Sequence, residues 1–396
     1  MTHGVNFQMR VLVAIASLLL IVVVLWDAFE TIVLPRRVTR RLRLTSFYFR
    51  VTWGPWLVLT RLIRSHKRRE MSLSIYGPLS LLALIALWAV GLVFGFGMLN
   101  WAIQTPLNIP PQAATLSTYL YMSGVVFFTL GFGDVTPVNG MGRLLTVLQS
   151  GMGFGVLAIV IGYLPVLYQA FSRREANISL LDARAGTPPT AAELLRRHGR
   201  AGNMPALDKL LGDWEVWSAD LMESHLSYPV LCFFRSQHDN QSWLSSLTTI
   251  LDSCALVMVG VDNAPTWQAQ LTFAMARHTV VDLSQIFNSS PHEWKDARLP
   301  PEEIARLRRS LAADNVPLRE GADADEHLTR LRQMYEPYVT SLAEHLAMPL
   351  PPWIHERDAV DNWQTSAWER NPRQVAETVA NACQQAREAK SKTAAS

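Results

Sequence analysis

Three long apolar stretches alternate with polar ones along the first 170 residues of this 396-residue chain, at roughly 9–34, 74–103 and 142–170. About 20 apolar residues in a helix cross a hydrocarbon core of ~30 Å, so each stretch predicts a transmembrane helix. A shorter apolar run, 114–128, cannot cross as a helix and predicts a re-entrant segment that dips into the membrane and returns. Residues 44–66 are mixed, because Arg50, Arg61 and Gly54-Pro55 interrupt the apolar run Leu44–Ile63. That pattern predicts an interfacial amphipathic helix, with Phe47, Phe49, Trp53 and Trp56 at headgroup depth. The first stretch is longer than a signal h-region and no small-x-small cleavage site follows it, so it reads as a retained helix.

Beyond residue 172 apolar positions recur at helical spacing, from Pro205 towards Ser227 and over 241–260, 266–287, 302–313 and 325–347. Thr190-Ala191-Ala192-Glu193 reads as a capping box opening a short helix that Gly199 ends. Leu256–Val261 reads as a strand, Pro300-Pro301 and Pro349–Pro352 as breaks, and the small, polar tail from 384 as disordered.

Charge fixes an orientation for these elements. Residues 1–170 hold 13 Lys/Arg against 4 Asp/Glu, and residues 171–396 hold 23 against 29. Eleven Lys/Arg and no acid lie between Arg36 and Arg69, including Arg36, Arg37, Arg40, Arg41 and Arg43, whereas Asn100 to Gly142 has no base. Cytoplasmic loops carry the positive excess, so 36–69 and the segment from 172 onward are expected inside, and 104–140 and the N-terminus outside. The basic cluster is also expected to favour anionic lipid. It lies after a span and not within one, so no voltage-sensing helix is predicted.

The short apolar run ends in Thr129-Leu130-Gly131-Phe132-Gly133-Asp134. This run, with Val135-Thr136-Pro137 and then Gly142-Arg143, resembles the selectivity filter, outer mouth and inner-helix start of the potassium channel family. The likeness covers about residues 75–170. It implies a filter in which rings of backbone carbonyls replace a cation's hydration shell. Turning successive carbonyls the same way needs alternately handed backbone, which glycine accepts at low cost. The likeness further implies a hydroxyl ring from Thr129, a brace behind the filter from Phe132, and an outer-mouth charge or hydrogen-bonded anchor at Asp134. Gly153, nineteen residues after Asp134, matches the family's gate glycine; Gly155, Gly162 and Pro165 are further gate or hinge candidates on the same helix. Gly151, Gly153 and Gly155 also suit close packing, and Gly95-Phe96-Gly97 with Gly91 reads as helix packing alone. One filter per chain implies a homotetramer.

This sequence departs from the family at Phe128, Leu130 and Phe132, at Val125 where some members keep a glutamate, and in a pore helix without the tryptophan pair. These changes loosen the brace behind the filter and bear on potassium over sodium selectivity.

The expected fold is an all-α membrane protein with three transmembrane helices, a re-entrant pore loop, an interfacial helix and a mainly helical cytosolic domain. Its expected divisions are 1–35, 36–72, 73–171, 172–383 and 384–396. The soluble half has no Gly-x-Gly-x-x-Gly unit, Walker motif, EF-hand loop or zinc pattern, and no nucleophile–base constellation, so neither enzyme, cofactor nor nucleic-acid partner is expected. Asp220, Glu223 and His225 read as a solvated helix face, the tryptophans as core or subunit contacts, and Cys232, Cys254 and Cys383 as buried thiols. The leading expectation is a tetrameric potassium channel gated by an unidentified cytosolic ligand or partner. A non-selective or sodium-permeable cation channel and a membrane-anchored receptor or scaffold with a vestigial pore stand as alternatives.

Overall fold

The computed structural model describes residues 2–34, 44–237, 241–261, 264–293 and 298–355. Among the described residues the chain is helical with no strand; extended backbone pairs only as isolated bridges, Leu107 with Pro137 and Val261 with Leu318. Two compact units divide it, Met1–Gln169 and Ala170–Ser396.

The first unit holds α1 (Thr2–Ala28), which continues as a π-helical turn Phe29–Val33, α2 (Leu44–Arg61), α3 (His66–Ala102), α4 (Leu116–Phe127) and the start of α5 (Gly140–Ala185). Length and hydropathy allow Phe7–Val33, α3 and α5 to span a membrane. α3 is the hub, and small residues on two of its faces let its neighbours close in. A Cβ on Gly95 would lie 2.6 Å from the Ile21 side chain, and one on Gly91 3.0 Å from Val24, so that face admits α1. On Gly97 it would lie 2.7 Å from the Leu120 side chain and 3.1 Å from its Cα, so that face admits α4. The packing role read from Gly91, Gly95 and Gly97 is therefore split between two partners. Ile21, Val24, Leu84, Trp88, Leu92, Phe96 and Phe127 form the core between them.

α2 runs antiparallel to the first half of α3. The Tyr48 hydroxyl donates to Ser80 O (3.0 Å), Thr52 Oγ1 lies 2.9 Å from the Tyr76 hydroxyl, and Trp56 Nε1 donates to Ser72 O (3.3 Å). The register climbs four residues on one helix as it falls four on the other. The aromatic residues expected at one depth are divided by this packing: Trp53 is buried against Tyr76, and Phe47 is exposed. The first turn of α2 is tied down by Asp27, which accepts from Thr45 N (3.1 Å), Thr45 Oγ1 (2.6 Å) and Trp88 Nε1 (3.0 Å). A buried carboxylate inside an apolar span needs such donors to offset its lost hydration. The candidate lipid-facing residues Arg36, Arg37, Arg40, Arg41 and Arg43 lie outside the described residues.

The second unit contains the end of α5 and α6 (Ala191–Arg200), α7 (Met204–Ser227), α8 (Trp243–Gly260), α9 (Thr266–Ile286), α10 (Pro301–Ala313), α11 (Ala322–Gln333) and α12 (Glu336–Leu346). α8 is central. It too is long and apolar enough to span a membrane, but 89% of it is enclosed by its neighbours, its serines, threonines and Asp252 included. This corrects the strand read at Leu256–Val261: Leu256 to Gly260 complete α8, and only Val261 pairs as extended backbone. Burial all round removes the periodicity that separates helix from strand in a short apolar run. α7 and α9 run in parallel, with Thr272 and Thr279 donating to Leu211 O (2.9 Å) and Ser218 O (3.1 Å) at matched steps of seven.

Two boundaries also move. The apolar run 325–347 is two helices broken at Met334 and Tyr335. Gly199 lies inside α6 and does not end it. A Cβ there would lie 2.1 Å from the Val316 side chain and 2.5 Å from Asp314 O, so close approach explains that glycine. Thr190 caps α6 as expected, accepting from Glu193 N at 3.2 Å, while the Glu193 carboxylate pairs with Arg196 and Arg197.

The end of α5 is a core helix of this second unit. Ile178, Leu181 and Ala185 are buried on one face, and Arg174 is 3% exposed. Its guanidinium donates to Leu231 O (3.0 Å) and Phe234 O (2.8 Å), pairs with Glu175 (2.9 Å) and lies 3.1 Å from His225 Nε2. His225 thus turns inward, away from exposed Asp220 and Glu223, correcting its placement on a solvated face. Burial first, then the Arg174 charge, hold the His225 imidazole well below its ordinary value of 6.5. Among the described residues no cluster suited to a metal ion occurs.

Candidate functional site

α4 ends at Phe127, and the motif Thr129–Asp134 leaves it directly. Three hydrogen bonds splice the two: Phe128 N to Gly124 O (3.0 Å), Thr129 N to Val126 O (3.1 Å) and Leu130 N to Val125 O (2.9 Å). Beyond them the backbone changes hand at alternate residues. Thr129, Gly131 and Gly133 have φ of +55°, +66° and +77°, and Leu130 and Phe132 lie outside the positive range. Glycine occupies two of these left-handed positions at little cost; Thr129, with a Cβ, does not have that freedom. Among the described residues no hydrogen bond reaches the carbonyl oxygens of Thr129 to Gly133. Residues 128–134 are exposed throughout, with Phe132 65% exposed, so within one chain its ring braces nothing.

Both ends of this extended segment are fixed. Asp134 accepts from the Tyr121 hydroxyl of α4 at 2.9 Å, so the acid is tied to the helix that precedes it. Asn108 and Thr136 exchange bonds, Asn108 N to Thr136 O at 3.0 Å and Thr136 N to Asn108 Oδ1 at 2.7 Å. Val138 N donates to Pro106 O at 3.0 Å, which ties the outgoing segment to the α3–α4 loop. That loop is in turn held by Tyr119, whose hydroxyl donates to Thr105 O at 2.7 Å.

α5 returns beside α4, starting at Gly140. Gly142 is required by crowding, since a Cβ there would lie 2.4 Å from the Thr105 side chain and 2.7 Å from Pro137. Gly153 faces the end of α4, where its Cβ would lie 2.2 Å from Phe127 O. Gly151, Gly155 and Gly162 have open space at the same position, and Pro165 sits within the helix, which runs unbroken from Gly140 to Ala185. Four gate candidates therefore have two settings: Gly153 in a tight contact; Gly155, Gly162 and Pro165 along a helix whose surroundings leave room.

Two residues of this site carried no assignment in the sequence, Gln149 and its partner Ser123. Gln149 Nε2 donates to Ser123 Oγ (2.6 Å) and Ser123 O (2.9 Å), and Ser123 Oγ donates to Val93 O (2.7 Å). The available signal was a lone carboxamide in an apolar stretch. The tie from Tyr121 to Asp134 had a signal too, a hydroxyl on α4 thirteen residues before an acid.

Comparison with known proteins draws attention to the same part of the chain. The family described as "Ion channel" matches residues 83–169, the stretch from mid-α3 through the filter-like segment to the first part of α5. The uncharacterized membrane protein YdjJ of Bacillus subtilis (strain 168) is 23% identical over 244 residues, 60% of this chain and 69% of that protein. Protein LctB of Geobacillus stearothermophilus is 31% identical over 86 residues and Protein LctB of Bacillus caldotenax 28% over 84, each match covering 19% of this chain and 62% of the relative. No solved structure matches. The molecule is a membrane protein, and over residues 83–169 it carries an ion-channel domain of the pore-loop cation class.

Proposed function

We propose that four copies of this chain surround one pore and conduct potassium ions passively through carbonyl rings contributed by Thr129 to Gly133. The observation that carries the reading is the alternation of φ at Thr129, Gly131 and Gly133, with their carbonyls unclaimed by any hydrogen bond among the described residues. Alternate hands turn successive carbonyls to one side, and unclaimed carbonyls are costly unless a cation or water meets them. The exposure of residues 128–134 in one chain supports assembly around an axis, where other copies cover that surface.

In this reading Asp134 concentrates cations at the outer mouth, the N-terminus lies outside the cell membrane, and the second unit lies in the cytoplasm. Gly153, Gly155, Gly162 and Pro165 belong to the inner helix that opens and closes the path. The second unit acts on that helix in response to a cytosolic ligand or partner, and Arg36, Arg37, Arg40, Arg41 and Arg43 meet anionic lipid. The second reading, a non-selective cation pore, draws on the exposure of Phe132 and its lack of a hydroxyl.

Flux from proteoliposomes decides between them. Potassium current with a reversal potential that follows the potassium gradient is expected, lost in Gly131→Ala and Gly133→Ala. Within one chain a Cβ meets nothing within 4 Å at either position, so the cost there is that of forcing an L-residue into left-handed backbone, about 1–2 kcal/mol. Currents untouched by both substitutions overturn the reading, and a sodium-to-potassium permeability ratio near one favours the non-selective pore.

A further inference from the structure

Ser123 and Gln149 make a polar knot behind the filter-like segment, closed from solvent at 0% and 1% exposed. One carboxamide on α5 and one hydroxyl on α4 join three helices. Gln149 reaches both polar oxygens of Ser123, and Ser123 hands its own proton to Val93 O on α3. A carboxamide among apolar side chains is unfavourable unless bonded, so its place here is fixed by its partners.

One turn further along both helices lies the second contact. The step from Gln149 to Gly153 is four residues, as is the step from Ser123 to Phe127, and Gly153 sits against the Phe127 carbonyl. The two contacts stack along one face, the first directional and the second steric. A steric contact alone lets α4 rotate and slide; the paired hydrogen bonds set its rotation and depth. The end of α4 then sets the filter entry, through Thr129 N to Val126 O and Leu130 N to Val125 O.

We propose that Gln149 is a positioning residue of the filter, holding the pore helix against the inner helix so that the carbonyls of Thr129 to Gly133 keep the spacing that separates potassium from sodium. This rests on the channel reading above. It also accounts for how an exposed Phe132 with no hydroxyl is tolerated: the filter is held from the pore helix's inner-helix side.

The test uses the full chain in proteoliposomes, comparing wild type with Gln149→Met, which keeps length and loses both donors, Ser123→Ala, and the double variant. Bi-ionic reversal potentials give the potassium-to-sodium permeability ratio. Gln149→Met is expected to lower that ratio at least ten-fold while still conducting. Ser123→Ala keeps its main-chain acceptor and is expected to lower it less, and the double variant is expected to match Gln149→Met. A merely structural role would reduce the amount of assembled protein and leave the ratio of the assembled fraction alone. A ratio within two-fold of wild type in assembled Gln149→Met, or in Ser123→Ala if the former does not assemble, overturns the proposal. Wild-type protein that carries no cation overturns the channel reading itself, and a wild-type ratio near one overturns the potassium-selective reading; this role for Gln149 falls with either.

Discussion

Gly153→Ala separates two roles for the glycine that sits where the likeness to potassium channels puts the inner gate. The added Cβ would lie 2.2 Å from Phe127 O, 3.1 Å from Phe127 C and 3.3 Å from Phe127 Cα. Relieving the first contact to an ordinary carbon–oxygen separation takes a displacement of about 1 Å between α5 and the end of α4, and interiors are too closely packed to absorb that freely. Overpacking of this kind costs about 1–3 kcal/mol in each chain. That is a sizeable fraction of the whole stability of a typical domain, about 5–15 kcal/mol. Gly155→Ala provides the control. Nothing lies within 4 Å of its Cβ, and Ala in a helix interior gains about 1 kcal/mol over Gly. The assay is the thermal midpoint of the detergent-solubilised protein together with flux after reconstitution. Gly153→Ala is expected to lower the midpoint and abolish flux, and Gly155→Ala to raise the midpoint. Wild-type midpoint and flux in Gly153→Ala would refute the contact argument, as would identical behaviour of the two variants.

Two further outcomes follow from single contacts. Tyr121→Phe removes the 2.9 Å bond to Asp134 and frees the outer end of the filter segment; currents are expected to begin normally and decline several-fold faster under sustained driving force, and an unchanged time course would dismiss the bond as incidental. The buried His225 ties stability to acid. Its folded value is depressed below 6.5, so the folded state takes up the proton later than the unfolded chain, and its contribution is complete above about pH 6.5 and lost as pH falls below it. The slope approaches about 1.4 kcal/mol per pH unit for one such group, and His345, depressed by burial as well, adds to it. His225→Gln is expected to flatten the fall of the fluorescence-monitored midpoint between pH 7 and 5; the same slope in the variant would exclude His225 as its source.

The pore half was legible because its constraints are local. Spans follow from runs of apolar residues, the short helix α4 from a run too short to cross, and the left-handed backbone at Gly131 and Gly133 from glycines spaced two apart. What the sequence concealed were contacts at long separation. Nothing in the spelling of Gln149 announces Ser123, twenty-six residues away. Asp27 looked like an acid near the end of a span, and the donors that settle it, Thr45 and Trp88, come from two other helices. The second unit was harder for a different reason. α8 is buried all round, so it lacks the one-sided pattern that distinguishes a helix from a strand, and its apolar run was partly misread. His225 belongs to a segment with two exposed acids, and only the fold reveals that Arg174 draws it inside. Gly199 looks like a stop signal, whereas the close approach of Asp314 and Val316 is what excludes a side chain there.

α5 leaves no clean place to cut the protein in two. It supplies Gly153 to the channel domain and Ile178, Leu181 and Ala185 to the interior of the second unit, in one uninterrupted helix. Truncation after residue 169 would cut α5 in mid-helix and leave its new end uncapped, and truncation after 185 would leave an apolar face bare and prone to aggregate. An isolated second unit starting after 185 would lack an interior helix and the arginine that fastens Leu231 and Phe234. Expression of either half alone is therefore a poor route to its properties, and limited proteolysis should find α5 resistant along its whole length. A cassette exchange that grafts the second unit onto another membrane protein must carry the helix from Ala170 with it.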